Sequence, residues 1–333
     1  MKKLYNILSP AITAITLLSL GACQSDETQL SSPVSNSIII SSRAEKTADD
    51  NELIHDYTVV FVNSASTVCA VVDRPETDAN GFDYEEFEVE LNPGTYNIYA
   101  FANRSALPAN IREALGSLST GTPLPENFPS LTANLNAYHK PESLIPMSGF
   151  MSGVAISNRP NAGLSIEVIR MLARMEFLFT NATADPVTIT EVSLLPVYSG
   201  NVSALPVFEN GTREIARPVL LPGCVAEAAV HQIGAELQGN QSSFASHFYI
   251  RESVADQHPS GLFSMSVKVI RNNSAEEELY ALTPDLNAVR RNDYIQIPIV
   301  LTDYTLEVDT EFYPPIGGYP AVVVEQNNNE FYI

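Results

Sequence analysis

The chain has 333 residues, 18 of them lysine or arginine against 39 aspartate or glutamate, for a formal net charge of −21. A field of that sign repels nucleic acid and anionic lipid, which argues against a polyanionic partner. At about 100 to 200 residues per domain, the length predicts two domains, each able to bury a core of its own.

Lys2 and Lys3 precede an uncharged run from Ile7 to Leu20, and Gly21 and Ala22 then lead into Cys23. The run is shorter than the roughly 20 residues of a spanning helix, and small residues before a cleavage point complete the layout of a secretory signal peptide, residues 1–22. LSLGAC also resembles the lipobox of bacterial lipoproteins. That resemblance implies cleavage ahead of Cys23 and acylation of its sulfur and new amino terminus, a stable anchor because several chains act together. Asp26 and Glu27 resemble the acidic export signal of surface-displayed lipoproteins in some Gram-negative groups. The plainer alternative is an ordinary signal peptide followed by an incidental cysteine. Beyond it only Cys69 and Cys224 remain. They are far apart in sequence and are expected to be two buried, inert thiols, although the compartment permits a disulfide.

Residues 23–51 are polar and serine-rich and read as a tether. Ile38, Ile39 and Ile40 interrupt it and predict one short strand over Ser37–Ser42, with Arg43 and Ala44 just after. From residue 52 onward, short runs of period two are bounded by Pro, Gly, Asn and Asp, the pattern of an all-β sandwich fold. Phe87, Val89 and Leu91 alternate with glutamates, Asn92–Gly94 turn the chain, and Thr95–Asn103 form the next strand. A short helix is predicted over Ala109–Leu118, with Pro108 at its start and Ile111, Leu115 and Leu118 on one face. Leu164–Asn181 reads as one strand with a bulge, because its apolar positions change parity midway. Composition places a junction at 182–186, so the expected domains are 52–182 and 183–333. In the second, Phe263–Val269 and Tyr294–Leu301 alternate, and Pro298 predicts an edge strand. In the tail, 321–333, Val322 and Val324 share a face, as do Phe331 and Ile333.

Motifs that carry chemistry are scarce. His55, His139, His231, His247 and His258 have no metal-ligand spacing, and no nucleophile elbow, phosphate loop or dinucleotide fingerprint occurs. No catalytic residue, metal or cofactor is predicted, and Asn273–Glu278 lacks the spacing of a calcium loop. There is no tryptophan to stack on sugars, and most of the 14 tyrosines fall in alternating strands.

Seven blocks carry a wider resemblance: DYTVVFVN, LNPGTYNIYAFAN, IPMSGFMSG, IEVIRMLARMEFLFTN, VTITEVSLLPV, FYIRES and RRNDYIQIPIVL, in that order between Asp56 and Leu301. The series resembles the fimbrillins of type V pili, the major and minor fimbrial subunits of certain anaerobic Gram-negative bacteria. The resemblance implies two tandem transthyretin-like β-sandwich domains and a precursor held on the outer membrane by lipid. It further implies joining of like or related subunits into a surface fimbrium by strand donation, and adhesion to a host or bacterial surface receptor. It also implies an arginine-specific cut between Arg43 and Ala44, in an exposed loop, that removes the lipid and first strand together. A donor strand would come from the tail, through Val322, Val324, Phe331 and Ile333. Plainer alternatives stay open: Arg43 as a solvated linker residue, and the tail as the last strand of its own domain. The rival readings are an anchor subunit that keeps its lipid and first strand, and a monomeric glycan-binding surface lipoprotein.

Overall fold

Alternation along the chain resolves into twenty strands and one α-helix in a computed structural model that describes residues 33–43, 49–75, 80–157, 164–209, 212–271, 274, 276–302, 306–308 and 311–313. Cys23, Ala44, Val322, Val324, Phe331 and Ile333 lie outside the described residues. In chain order the first nine strands are β1 (Val34–Ser42), β2 (Tyr57–Asn63), β3 (Val68–Arg74), β4 (Tyr84–Leu91), β5 (Gly94–Ala102), β6 (Thr132–Leu135), β7 (Tyr138–His139), β8 (Met147–Ile156) and β9 (Leu164–Arg170). The next six are β10 (Leu172–Asn181), β11 (Val187–Ser203), β12 (Val225–Leu237), β13 (Ser242–Arg251), β14 (Ser253–Val254) and β15 (Ser264–Arg271). The last five are β16 (Glu278–Leu282), β17 (Ala288–Val289), β18 (Tyr294–Leu301), β19 (Leu306–Val308) and β20 (Glu311–Tyr313). The helix, α1 (Ala109–Gly116), buries Ile111 and Leu115, the face its spacing predicts.

The first sandwich is a seven-stranded sheet in the order β3-β2-β5-β8-β9-β1-β4. It bends where β8 meets β9 through Met147–Arg170 and Ser148–Ile169. A side chain at Gly149 would overlap the Glu167 carbonyl oxygen, so glycine is what allows the two strands to close. The two arms then face each other across one core. Ile38, Ile40, Val89, Leu91, Ile166 and Val168 come from one side; Val59, Phe61, Ile98 and Ala100 come from the other.

The second sandwich opposes the sheet β19-β18-β10-β13-β7, with β20 also on β18, to the sheet β12-β11-β15-β16. Phe177, Phe179, Phe248, Ile295 and Ile297 meet Ile189, Val192, Met265 and Val267 between them. A third core joins the two bodies, with Val60 and Phe101 packed in one cluster with Met171, Leu172, Val202 and Tyr249. β6 pairs with the end of β11 and β7 with β13, so the segment following α1 is woven into the second body.

Two sequence expectations are corrected here. Leu164–Asn181 is not one bulged strand but β9 and β10, in different sheets, crossing at Met171. The parity change marks the crossing: Ile166 and Val168 point into the first core, Phe177 and Phe179 into the second. Sheet membership thus changes at Met171, ahead of the 182–186 stretch where composition changes. Nor is β18 an edge strand, since β10 flanks it on one side and β19 and β20 on the other. Its proline is tolerated because β20 pairs with Tyr294–Gln296 and β19 with Ile299–Leu301, which leaves Pro298 opposite the gap between them.

Candidate assembly site

β1 is the strand that the fimbrillin resemblance implies is removed together with the lipid. In its sequence, VSNSIIISS, Ser35, Ser37, Ile39 and Ser41 share one face, while Asn36, Ile38 and Ile40 share the buried other. Ile38 and Ile40 are fully buried. β1 runs parallel to β9, from Ile38 opposite Leu164 to Ser42 opposite Val168, and antiparallel to β4, from Val34 opposite Leu91 to Ser41 opposite Tyr84. Among the described strands β4 is hydrogen-bonded to β1 alone. The outward row of β4 is acidic. Ser37 Oγ donates to Glu86 and Ser35 Oγ to Glu88 Oε2 at 3.3 Å, with Glu90 next along.

The end of β1 is held by the second sandwich. Arg43 is 4% exposed, which corrects the expectation that it lies in an exposed loop. Its N–H donates to Val168 O at 2.9 Å, and its Nη1 donates to Arg213 O at 3.1 Å. Its carbonyl accepts from Asn292 Nδ2 at 3.2 Å. Asn292 stands in the turn before β18 at φ 64°, a left-handed position that asparagine tolerates. It is fixed in turn: its Oδ1 accepts from Arg170 N and Nε, both at 3.2 Å, and its N–H donates to Leu172 O at 2.9 Å.

Behind this lies a buried polar cluster. Arg170 Nη1 donates to Glu52 Oε1 at 2.6 Å, and Tyr249 OH donates to the same oxygen at 2.7 Å. Arg174 Nη1 reaches Glu52 Oε1 at 3.3 Å and Asp49 Oδ2 at 2.9 Å. Burial raises the pKa of Glu52, but the Arg170 and Arg174 guanidiniums and the Tyr249 hydroxyl outweigh it and hold the carboxyl below its usual range. Asp293, beside Asn292, is pushed up to about 7 by burial, against the opposing Arg290 N–H bond to its carboxylate. His247, 3.1 Å from Asp49 Oδ2, is pushed down by burial and by the Arg174 charge.

The remaining candidates sit apart. Cys69 on β3 and Cys224 before β12 are both free and both partly exposed, rather than buried as expected. Cys224 Sγ accepts from Arg251 Nη2 at 3.2 Å. Among the described residues no group of three or more His, Cys, Asp or Glu is placed to hold a metal, and no helix is long and apolar enough to cross a membrane. Sequence reasoning missed Asn292, Arg170 and Glu52. A buried polar side chain carries the same letter as a solvated one, and the one available signal was their position inside or beside the blocks of the family resemblance.

The chain so built is a tandem-sandwich all-β protein whose first described strand lies between β9 and β4. Residues 37–191 match the family model described as major fimbrial subunit protein (FimA). The fold is similar to that of the tip fimbrial protein Mfa3 of Porphyromonas gingivalis with C-terminal truncation, at TM-score 0.54 and 15% identity over 84% of this chain and 99% of that one. It is also similar to two structures described as putative cell adhesion proteins. One, from Parabacteroides distasonis, has TM-score 0.52 and 14% identity over 87% and 99% of the two chains; the other, from Bacteroides eggerthii, has 0.53 and 11% over 83% and 95%. Curated proteins give no match. The match to the fimbrial-subunit family model agrees with the resemblance of the sequence blocks to the fimbrillins of type V pili.

Proposed function

We propose that the protein is a structural subunit of a surface fimbria, of the stalk or accessory kind, exported as an outer-membrane lipoprotein through Cys23 and supporting adhesion. Subunits of the same or a related kind join when a donated strand takes the place of β1. The observation that carries this reading is the seat of β1: a strand adjoining the tether whose removal would open a groove lined by Val89, Ile166 and Val168 and strip β4 of its described partner. Unpaired backbone beside an apolar groove is costly until another strand fills it.

The seat also specifies its occupant. A replacement needs apolar residues two apart for the places of Ile38 and Ile40, and an outward face free of carboxylates, because Glu86, Glu88 and Glu90 lie opposite. Ala321–Val324 offers such apolar residues two apart at Val322 and Val324, and the tail offers Phe331 and Ile333 likewise. The test is to cut the lipid-free chain after Arg43 and run it unheated on a gel. Wild type should give a ladder, and a V322D/V324D chain should give monomer. A cut wild-type chain that stays monomeric refutes strand donation.

A second reading has one observation in its favour. An Arg43 held at 4% exposure suits an anchor subunit that keeps both lipid and first strand. Acyl chains retained on the assembled, surface-located protein would decide for it.

A further inference from the structure

The bond after Arg43 is bracketed. On one side Arg43 is held through its N–H, guanidinium and carbonyl; on the other, Asp49 and Glu52 are held by Arg174 and Arg170. The guanidinium and the carbonyl of Arg43, two groups a protease would use, are thereby occupied. An arginine-specific enzyme must take the guanidinium into an acidic pocket and the Arg43 carbonyl into an oxyanion hole. Here the guanidinium donates to Arg213 O and the carbonyl accepts from Asn292. Both partners come from the second sandwich, more than a hundred residues along the chain.

We infer that Asn292 and the Arg213 carbonyl form a latch that the second sandwich closes over the end of β1, so that cleavage after Arg43 waits on the latch opening. This rests on the reading of Arg43 as a cleavage site and adds what controls it. Hydrolysis adds one water across the Arg43–Ala44 amide, leaving a carboxylate on Arg43 and an amine on Ala44. The latch has a rigid half and a yielding half. Asn292 is pinned by Arg170 and Leu172, whereas just beyond Arg213 the chain from Ile215 to Leu221 lines a cavity of about 220 Å³ with Arg291. Arg213 itself is tied outward by the solvent-exposed ion pair with Glu167 at 3.6 Å, a weak hold.

The experiment uses the lipid-free chain from Cys23, an arginine-specific protease, and intact mass to follow the cut after Arg43. A synthetic peptide spanning residues 37–50 reports the intrinsic rate. Asn292→Asp keeps the left-handed turn and the acceptor for Arg170 but removes the donor to the Arg43 carbonyl. Wild type should be cut at least about tenfold slower than the peptide, and N292D about tenfold faster than wild type, the scale of one lost hydrogen bond. Wild type cut as fast as the peptide, or N292D cut no faster than wild type, overturns the latch while leaving Arg43 as a cleavage site. A peptide that resists cutting overturns the cleavage reading itself, and the latch with it. If N292D does not fold, hydrogen exchange on the wild type decides: the Arg43 and Asn292 amides should open together, and an Arg43 amide that exchanges well ahead of Asn292 overturns the latch.

Discussion

Asp293 shows how much a single buried group can say about pH. Its carboxyl has a folded pKa of about 7 against an ordinary 3.8, so the folded state binds the proton more tightly than the unfolded chain does. The stability this gives is fully present below the unfolded value and is lost as pH rises through about 7. Thermal midpoints should therefore fall between pH 4 and pH 8. Asn at this position, which still offers an oxygen to the Arg290 N–H, should flatten that fall and gain on the order of 2 kcal/mol at pH 8. A D293N profile parallel to wild type would show that Asp293 is not the titrating group. His247 works in the other direction: its lowered pKa costs stability as pH falls below about 6.5. The Arg170–Glu52 pair is a separate matter, because both side chains are 1% exposed. Arg170→Met leaves the buried Glu52 carboxylate with Arg174 and Tyr249 alone and should cost about 3 kcal/mol in urea unfolding. None of these residues was legible as a site from sequence, since alternation reports apolar positions and is silent on a polar side chain turned inward. Ile38 and Ile40 were legible for the converse reason: an isoleucine run in a serine-rich tether has no other evident use.

Among elements, β1 and β9 were read with unequal success. The tether strand was found, though it begins at Val34 rather than Ser37. β9 and β10 were merged, because a chain passing between sheets in one residue leaves only a parity change, and a bulge leaves the same mark. Pairing partners were not readable at all: β1 beside β9 links residues more than a hundred apart, and no local turn fixes that register. The closure of β8 on β9 gives a prediction at this scale. Gly149→Ala forces a methyl into the Glu167 carbonyl, and the resulting separation of the strands should lower stability by about 1–3 kcal/mol. An unchanged denaturation midpoint would mean that the bend in the sheet is not set there.

For the molecule as a whole, composition and turn spacing disclosed an all-β protein of two sandwiches, while the way they interlock stayed hidden. Val60 and Phe101 share a core with Leu172 and Tyr249, and β6 and β7 leave the first body to pair with the second. Neither body can unfold without exposing surface of the other. Calorimetry should therefore show one cooperative transition, with van't Hoff and calorimetric enthalpies in agreement; two resolved transitions would refute this coupling. The seat of β1 has a mechanical side as well. A strand held between an antiparallel neighbour and a parallel one has ladders on both edges, and tension along its axis loads both in shear. It cannot be peeled away one hydrogen bond at a time, as an end-loaded hairpin can. Whatever strand occupies that seat is thus secured against pulling along the chain, and the weak direction is sideways, toward the acidic edge of β4.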